Sequence, residues 1–151
     1  MIYLGIDYGD SRTGIAVSYD GKVALPLLTI DSSMGRKMTA IAVGKLIREK
    51  KADTVVIGYP KNMDGSSGSR VAVTEKFARA LKTFLEDSQY DINIFFEDER
   101  LTTKAAERIL RDTGRNKQKD SLGDQIAASM ILESFLKKQE AEGNINEQKE
   151  Q

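Results

Sequence analysis

The sequence opens with two apolar runs joined by a short turn, residues 2–18: Ile-Tyr-Leu-Gly-Ile-Asp-Tyr-Gly-Asp-Ser-Arg-Thr-Gly-Ile-Ala-Val-Ser. The first run, Ile2 to Ile6, is too short for a stable helix and is followed by an acid, which predicts a buried strand with Asp7 at its tip. The second run, Gly14 to Ser18, is rich in small and β-branched residues, and the residues between the runs are typical of turns. The stretch therefore predicts a β-hairpin that presents a carboxylate.

Asp7 has two interpretations on this local sequence. Its side chain either caps the turn by accepting hydrogen bonds from backbone N–H groups, or belongs to a functional site. Gly5 and Gly14 leave room beside it. An isolated buried charge is very costly, so a carboxylate held there needs a metal ion, a hydrogen bond or a cation. The local sequence leaves both interpretations open.

Composition limits the chemistry that the chain can perform. Its 151 residues are enough for one domain with a sizeable core. It contains neither Cys nor His, which excludes disulfides, thiolate metal sites and an imidazole base, so carboxylates must carry any chemistry. No apolar run reaches the ~20 residues of a membrane helix, and the N-terminus lacks the pattern of a signal peptide. We therefore expect a cytoplasmic protein without a membrane partner.

Charge is balanced overall and uneven locally. The 23 basic and 23 acidic residues give no bulk electrostatic argument for nucleic-acid binding. Between Arg100 and Lys119, however, seven basic residues accompany two acids. Such a stripe is either a solvated face or a patch that neutralises phosphates.

The remaining patterns predict an alternation of strands and helices. Pro26 places a third strand, Lys22 to Ile30, at a sheet edge. Helical spacing and short apolar runs predict, in order, a helix over Met34–Lys51, a strand over Thr54–Ile57, a helix over Val71–Leu85, a strand over Ile92–Phe96, and helices over Ala105–Leu110 and Asp120–Lys138. We predict an α/β fold whose mixed five-stranded sheet begins with three antiparallel strands, continues with parallel strands and carries helices on both faces. Residues 1–138 form the predicted domain, and residues 139–151 a polar tail that does not pack.

Four motifs then occur in order: Leu4-Gly-Ile-Asp-Tyr-Gly9, Gly58-Tyr-Pro-Lys-Asn-Met-Asp-Gly65, Asp98-Glu-Arg-Leu-Thr-Thr103 and Asp124-Gln-Ile-Ala-Ala128. In content and spacing they resemble the YqgF family, also called RuvX, over about residues 2–136. The resemblance implies a ribonuclease H-like fold and nuclease action in maturing the 5′ end of the 16S ribosomal RNA precursor. The family's older label, Holliday junction resolvase, makes junction DNA the alternative substrate. The hairpin is also similar to that of actin-like kinases and chaperone ATPases, but their ATP cleft lies between two such domains and this chain has room for one.

The resemblance also implies the site residues. In this fold, acids converge from the first strand, a later strand end and the last helix, which here implies a Mg²⁺ or Mn²⁺ site formed by Asp7, Glu99 and Asp124. Asp98 is expected to act as a second acid there or to pair with Arg100, and Asp64 remains an alternative ligand. Asp124 also has a simpler interpretation, as an acid near the start of a helix. The expected nucleic-acid contacts are Arg12, Asn62, Asp64, Arg100, Lys117 and Lys119.

Two features depart from the RuvC resolvases. The strand ending at Ile57 is followed by Gly58, Tyr59 and Pro60 and offers no second acid, and in the last helix Asp124 is followed by Gln125 and Ala128 instead of a second acid. A non-catalytic nucleic-acid-binding module is therefore a further hypothesis. Processing one RNA end requires only a monomer, whereas cutting two symmetric strands favours a homodimer, so the oligomeric state separates the two substrates.

Overall fold

The computed structural model describes residues 1–60, 68–98 and 119–149. In these ranges the chain forms β1 (Tyr3–Asp7), β2 (Arg12–Ser18), β3 (Leu25–Asp31), α1 (Arg36–Lys50), β4 (Thr54–Tyr59), α2 (Ser69–Asp87), β5 (Asn93–Asp98) and α3 (Lys119–Lys149). The predicted helix over 105–110 lies outside the described residues.

The five strands form one mixed sheet in the order β3-β2-β1-β4-β5. β2 is antiparallel to both β1 and β3, whereas β4 is parallel to both β1 and β5. The predicted sheet is confirmed, including the edge position of the strand that contains Pro26. Pro26 pairs with Ala16 where the register between β2 and β3 shifts, and such an irregularity tolerates a residue without an N–H.

Large side chains fill the face of the sheet covered by α1 and α2, called here the α1–α2 face. Alternate residues of β1, Leu4 and Ile6, point to this side and are fully buried. They belong to the same buried cluster as Phe77 and Leu81 of α2. Burying apolar area on this scale is the main contribution to folding.

Small residues line the opposite face, covered by α3 and called here the α3 face. A Cβ atom placed on Gly5 would lie 2.7 Å from the carbonyl oxygen of Ala128 and 2.8 Å from Cβ of Leu132. Ala16 and Val56 are buried in the same contact. Because Gly5 has no side chain and Ala16 only a methyl group, the backbone of α3 lies directly on this part of the sheet.

The final helix extends beyond its predicted end at Lys138 and reaches Lys149. Ala, Glu, Gln and Lys in this segment are strong helix formers, so local propensity favours the added turns. Residues 139–143 are exposed and therefore add no packing against the sheet. Within the described ranges, no helix has the length and apolar character needed to cross a membrane.

Candidate functional site

Asp7 ends β1 and faces α3. Side chains alternate along a strand, so Asp7 shares the face of Gly5, which lies beneath the backbone of α3. Asp7 is partly buried at the edge of the sheet where β1 ends. The parallel strands β4 and β5 end at the same edge, and ligands of α/β sheets usually bind at such an edge.

Gly14 lies between Asp7 and the last helix. It is the register partner of Asp7 in the hairpin, and a Cβ atom placed on it would lie 2.0 Å from the carbonyl oxygen of Asp124 and 2.9 Å from Cβ of Asp124. Since the Cβ atoms of paired antiparallel residues are about 5 Å apart, those of Asp7 and Asp124 lie within about 8 Å of each other. The fold thus brings two of the predicted metal ligands close enough for their carboxylates to approach one ion.

Contacts with the edge strand fix the start of α3. Thr29 on β3 donates a hydrogen bond from Oγ1 to the carbonyl oxygen of Ser121, 2.9 Å away, and accepts one from Nε2 of Gln125 at 3.0 Å. Asp124 lies between these two helical residues, in the second turn of α3. The helix dipole acts mainly on charges within the first turn, so it does not explain the position of Asp124.

Arg12 pairs with Asp124. Its Nε donates to Oδ2 of Asp124 at 2.9 Å, and the two side chains are 42% and 23% exposed. Arg12 was predicted to contact nucleic acid, and the structure places its guanidinium against a predicted metal ligand. The pair places positive charge beside a carboxylate at the closed end of the hairpin.

Asp98 lies on the other side of the sheet from Asp124. It is the register partner of Tyr59, whose hydroxyl donates to Glu75 of α2, so the alternation of β5 places Asp98 on the α1–α2 face. β5 is also two strands from β1, about 9.6 Å at the usual strand spacing. The structure therefore does not bring Asp98 together with Asp7 and Asp124 on one face.

Glu97 also faces α3, but it contacts a part of this helix that is remote from Asp124. It is only 5% exposed, accepts a hydrogen bond from Ser134 at 3.1 Å, and forms an ion pair with Lys138. Ser134 lies ten residues along α3 from Asp124, about 15 Å at the helical rise. Glu97 therefore ties β5 to the far part of α3.

Several predicted site residues cannot be placed from the described ranges: Asn62, Asp64, Glu99, Arg100 and Lys117 lie outside them. Lys119 begins α3. In the part of the chain that the structure describes, no group of three or more acids is close enough together to hold a metal ion.

A second ion pair at this edge was not predicted. Arg70, at the start of α2, donates from Nη1 to Oδ2 of Asp10 at 2.9 Å and from Nη2 to the carbonyl oxygen of Tyr8 at 3.4 Å. Burial raises the pKa of Tyr8, and the charge of Asp10 adds to this effect, whereas Arg36 and Arg70 oppose it. The only sequence signal was the position of Arg70 directly after a stretch rich in Gly and Ser.

Comparison with known proteins agrees with the motifs. The model of the family described as "RuvX: Holliday junction resolvase" matches residues 1–138. A protein of Acetivibrio thermocellus named "Putative pre-16S rRNA nuclease" is 42% identical over 138 residues, which cover 90% of this chain and 95% of that protein. A protein of Geobacillus sp. with the same name is 37% identical, with 90% of this chain and 97% of that protein covered.

Solved structures with low sequence identity share the fold. Thermus thermophilus RuvC has a TM-score of 0.51 at 16% identity, with 87% of this chain and 92% of that chain covered. A Fowlpox virus resolvase, solved in complex with Holliday junction DNA, has a TM-score of 0.53 at 14% identity, with 91% and 98% covered. The predicted ribonuclease H-like architecture is therefore confirmed by its neighbours.

Proposed function

The chain belongs to the RuvX family, and on that premise we propose that it is a divalent-metal-dependent nuclease acting on structured RNA, in the 5′-end processing of 16S ribosomal RNA precursor. The curated relatives are named "Putative pre-16S rRNA nuclease", which supports this substrate, and they are matched over nearly their whole length. This substrate would place the protein in the cytoplasm, where ribosomal RNA is transcribed.

The observation that carries the proposal is the close approach of Asp124 to Gly14, the register partner of Asp7. Carboxylate oxygens are the hard ligands that Mg²⁺ and Mn²⁺ prefer, so the two acids suit such an ion. When bound, divalent ions supply an activated water and stabilise the charge that develops during phosphodiester hydrolysis. Asp7 and Asp124 would hold the ion, and Arg12 would orient Asp124 and offset negative charge near the scissile phosphate.

The proposed further ligand is Glu99. Asp98 lies on the α1–α2 face, away from Asp124, which favours the other acid of the motif, Glu99, as the ligand. A glutamate also reaches further than an aspartate across two strand spacings. Asp64 remains the alternative ligand, and Asp98 a partner of Arg100.

Substitution of the two acids tests the metal site. Asp7→Asn and Asp124→Asn should each weaken Mn²⁺ binding, measured by calorimetry, and abolish Mn²⁺-dependent cleavage of a labelled precursor RNA. Their free energy of unfolding should change by no more than about 1 kcal/mol because each removes a ligand without altering side-chain volume. Asp91→Asn, an exposed acid that precedes β5, is the matched control and should change neither quantity. Full activity in either site variant would exclude that acid from the site.

Junction DNA is the second candidate substrate, favoured by the description of the family model. A resolvase must cut two symmetric strands, which calls for two copies of the site. Sedimentation and cleavage of a synthetic four-way junction distinguish the two activities: a stable dimer that cuts the junction and leaves precursor RNA intact would replace the proposed substrate. Binding of either substrate without metal-dependent cleavage would instead support a non-catalytic module.

A further inference from the structure

A groove runs between α1 and α2 on the α1–α2 face, remote from α3. Its volume is about 470 Å³. Its floor is apolar and half-buried, formed by Ile41, Ala80 and Phe84. Its rim carries four exposed cations, two from each helix: Arg36, Lys37, Lys76 and Arg79.

The groove concentrates positive charge in a chain whose net charge is zero. Among its lining residues the only acid is Asp87, and none of the four cations forms an ion pair with another residue in the described ranges. Together α1 and α2 contain nine basic and four acidic residues, whereas α3 contains four basic and six acidic ones. Folding therefore separates the charges onto opposite faces of the sheet.

The groove begins at the edge of the sheet that carries Asp7. β3 ends at Asp31, the register partner of Arg12, and α1 starts five residues later at Arg36. A chain of phosphates leaving Asp7 would therefore meet Arg36 first and then the remaining cations of the groove.

We propose that the α1–α2 groove binds the phosphate backbone of the nucleic-acid substrate beyond the scissile bond. The ligand's identity as nucleic acid rests on the proposed function, whereas the groove's role in binding does not depend on cleavage. Unpaired Lys and Arg side chains release condensed counterions when they neutralise phosphates, which makes such binding strong at low salt and sequence-independent. The half-buried floor leaves space for the sugar and base edges between the cations.

A charge-matched pair of variants tests this role. Lys76→Gln/Arg79→Gln removes two groove cations, and Lys22→Gln/Lys137→Gln removes two exposed cations from the β2–β3 turn and from α3. Binding of a fluorescent RNA hairpin with a single-stranded 5′ extension is measured in EDTA across a salt series, so that the RNA stays intact whether or not the protein is a nuclease. The groove variant should bind at least about tenfold more weakly at low salt, with a salt slope smaller by roughly 1.5 because two phosphate contacts are lost. A DNA of the same sequence should lose the same slope, since cations read phosphates and not sugars.

The control variant should retain the wild-type slope. Equal losses of affinity in both variants would show that overall charge explains the effect and would overturn the proposal. An unchanged salt slope in the groove variant, or a change in its oligomeric mass with RNA binding intact, would also overturn it.

Lysine acetylation of the wild-type protein provides a test that needs no substitution. RNA should protect Lys37 and Lys76 and leave Lys137 reactive, and absence of this difference would also exclude the groove. Full cleavage in the acid variants with groove protection retained would overturn the metal site and leave the groove standing, whereas loss of cleavage in those variants without groove protection would overturn the groove alone.

Discussion

The two faces of the sheet are packed in opposite ways. On the α1–α2 face, helices are held at a distance by large side chains such as Phe77, which stacks on Tyr8 with ring centroids 4.3 Å apart. On the α3 face, Gly5 and Gly14 let helix backbone lie against strand backbone. The first arrangement buries more apolar area, and the second places Asp124 beside Asp7. Packing on the α1–α2 face therefore contributes most to stability, whereas packing on the α3 face sets the geometry of the candidate site.

The largest effect is expected where backbone meets backbone. Gly14→Ala would place a Cβ atom 2.0 Å from the carbonyl oxygen of Asp124, and neither main chain can yield without moving α3. We expect a loss of about 3 kcal/mol in the free energy of unfolding, measured by urea denaturation, together with loss of cleavage. Gly143→Ala, on the same helix with no atom within 4 Å of the added group, should change the free energy of unfolding by no more than about 0.5 kcal/mol. Wild-type stability in Gly14→Ala would show that α3 does not need this contact.

A smaller loss is expected from the corresponding glycine on the opposite face. A Cβ atom on Gly44 of α1 would lie 2.2 Å from Cδ1 of Phe84, which is a side chain and can rotate. Gly44→Ala should therefore cost about 1.5 kcal/mol and preserve cleavage. The double variant Gly44→Ala/Phe84→Leu should recover part of that loss, and failure to recover would mean that the backbone of α1 is the rigid element.

Breaking one ion pair on each face should have little effect on stability in either variant, but it should reduce cleavage in only one of them. Arg12→Gln and Lys82→Gln remove the cations that pair with Asp124 and Glu86. The Lys82 pair is exposed and the Arg12 pair partly exposed, so we expect the free energy of unfolding to fall by only about 0.5 kcal/mol in each variant, measured by thermal melting. Cleavage should fall at least about tenfold in Arg12→Gln only, because its partner is a proposed metal ligand. Equal cleavage activity in the two variants would show that Arg12 has only a structural role.

The smallest effect is expected at the C-terminal end of α3. Residues 139–143 are exposed although helical, so deleting residues 139–151 should leave the melting temperature almost unchanged. Circular dichroism should show a loss of helical signal without a change in the cooperativity of melting. A large fall in melting temperature would show that the packed domain extends past Lys138.

Much of the fold and part of the site could be predicted from the sequence. Strand and helix positions followed from local periodicity, and Pro26 alone identified an edge strand. Asp7 and Asp124 were predicted as site residues from the resemblance of their motifs, and the structure places them near each other. The end of α3 was misplaced because a polar composition was taken to end the helix, although the same residues are good helix formers.

Residues at the ends of β4 and β5 show the limit of this approach. Asp98 and Glu97 are adjacent in a strand and so face opposite sides of the sheet, and only the register of β5 against β4 decides which of them shares the face of α3. Likewise, nothing in the local sequence of Arg12 indicates Asp124, 112 residues away, as its partner. The sequence by itself determined the order of elements and the chemistry of the acids, because both depend on neighbouring residues. The tertiary structure decided which acids share a face, which cation meets them and where the basic groove forms, because these depend on distances between elements far apart in the chain.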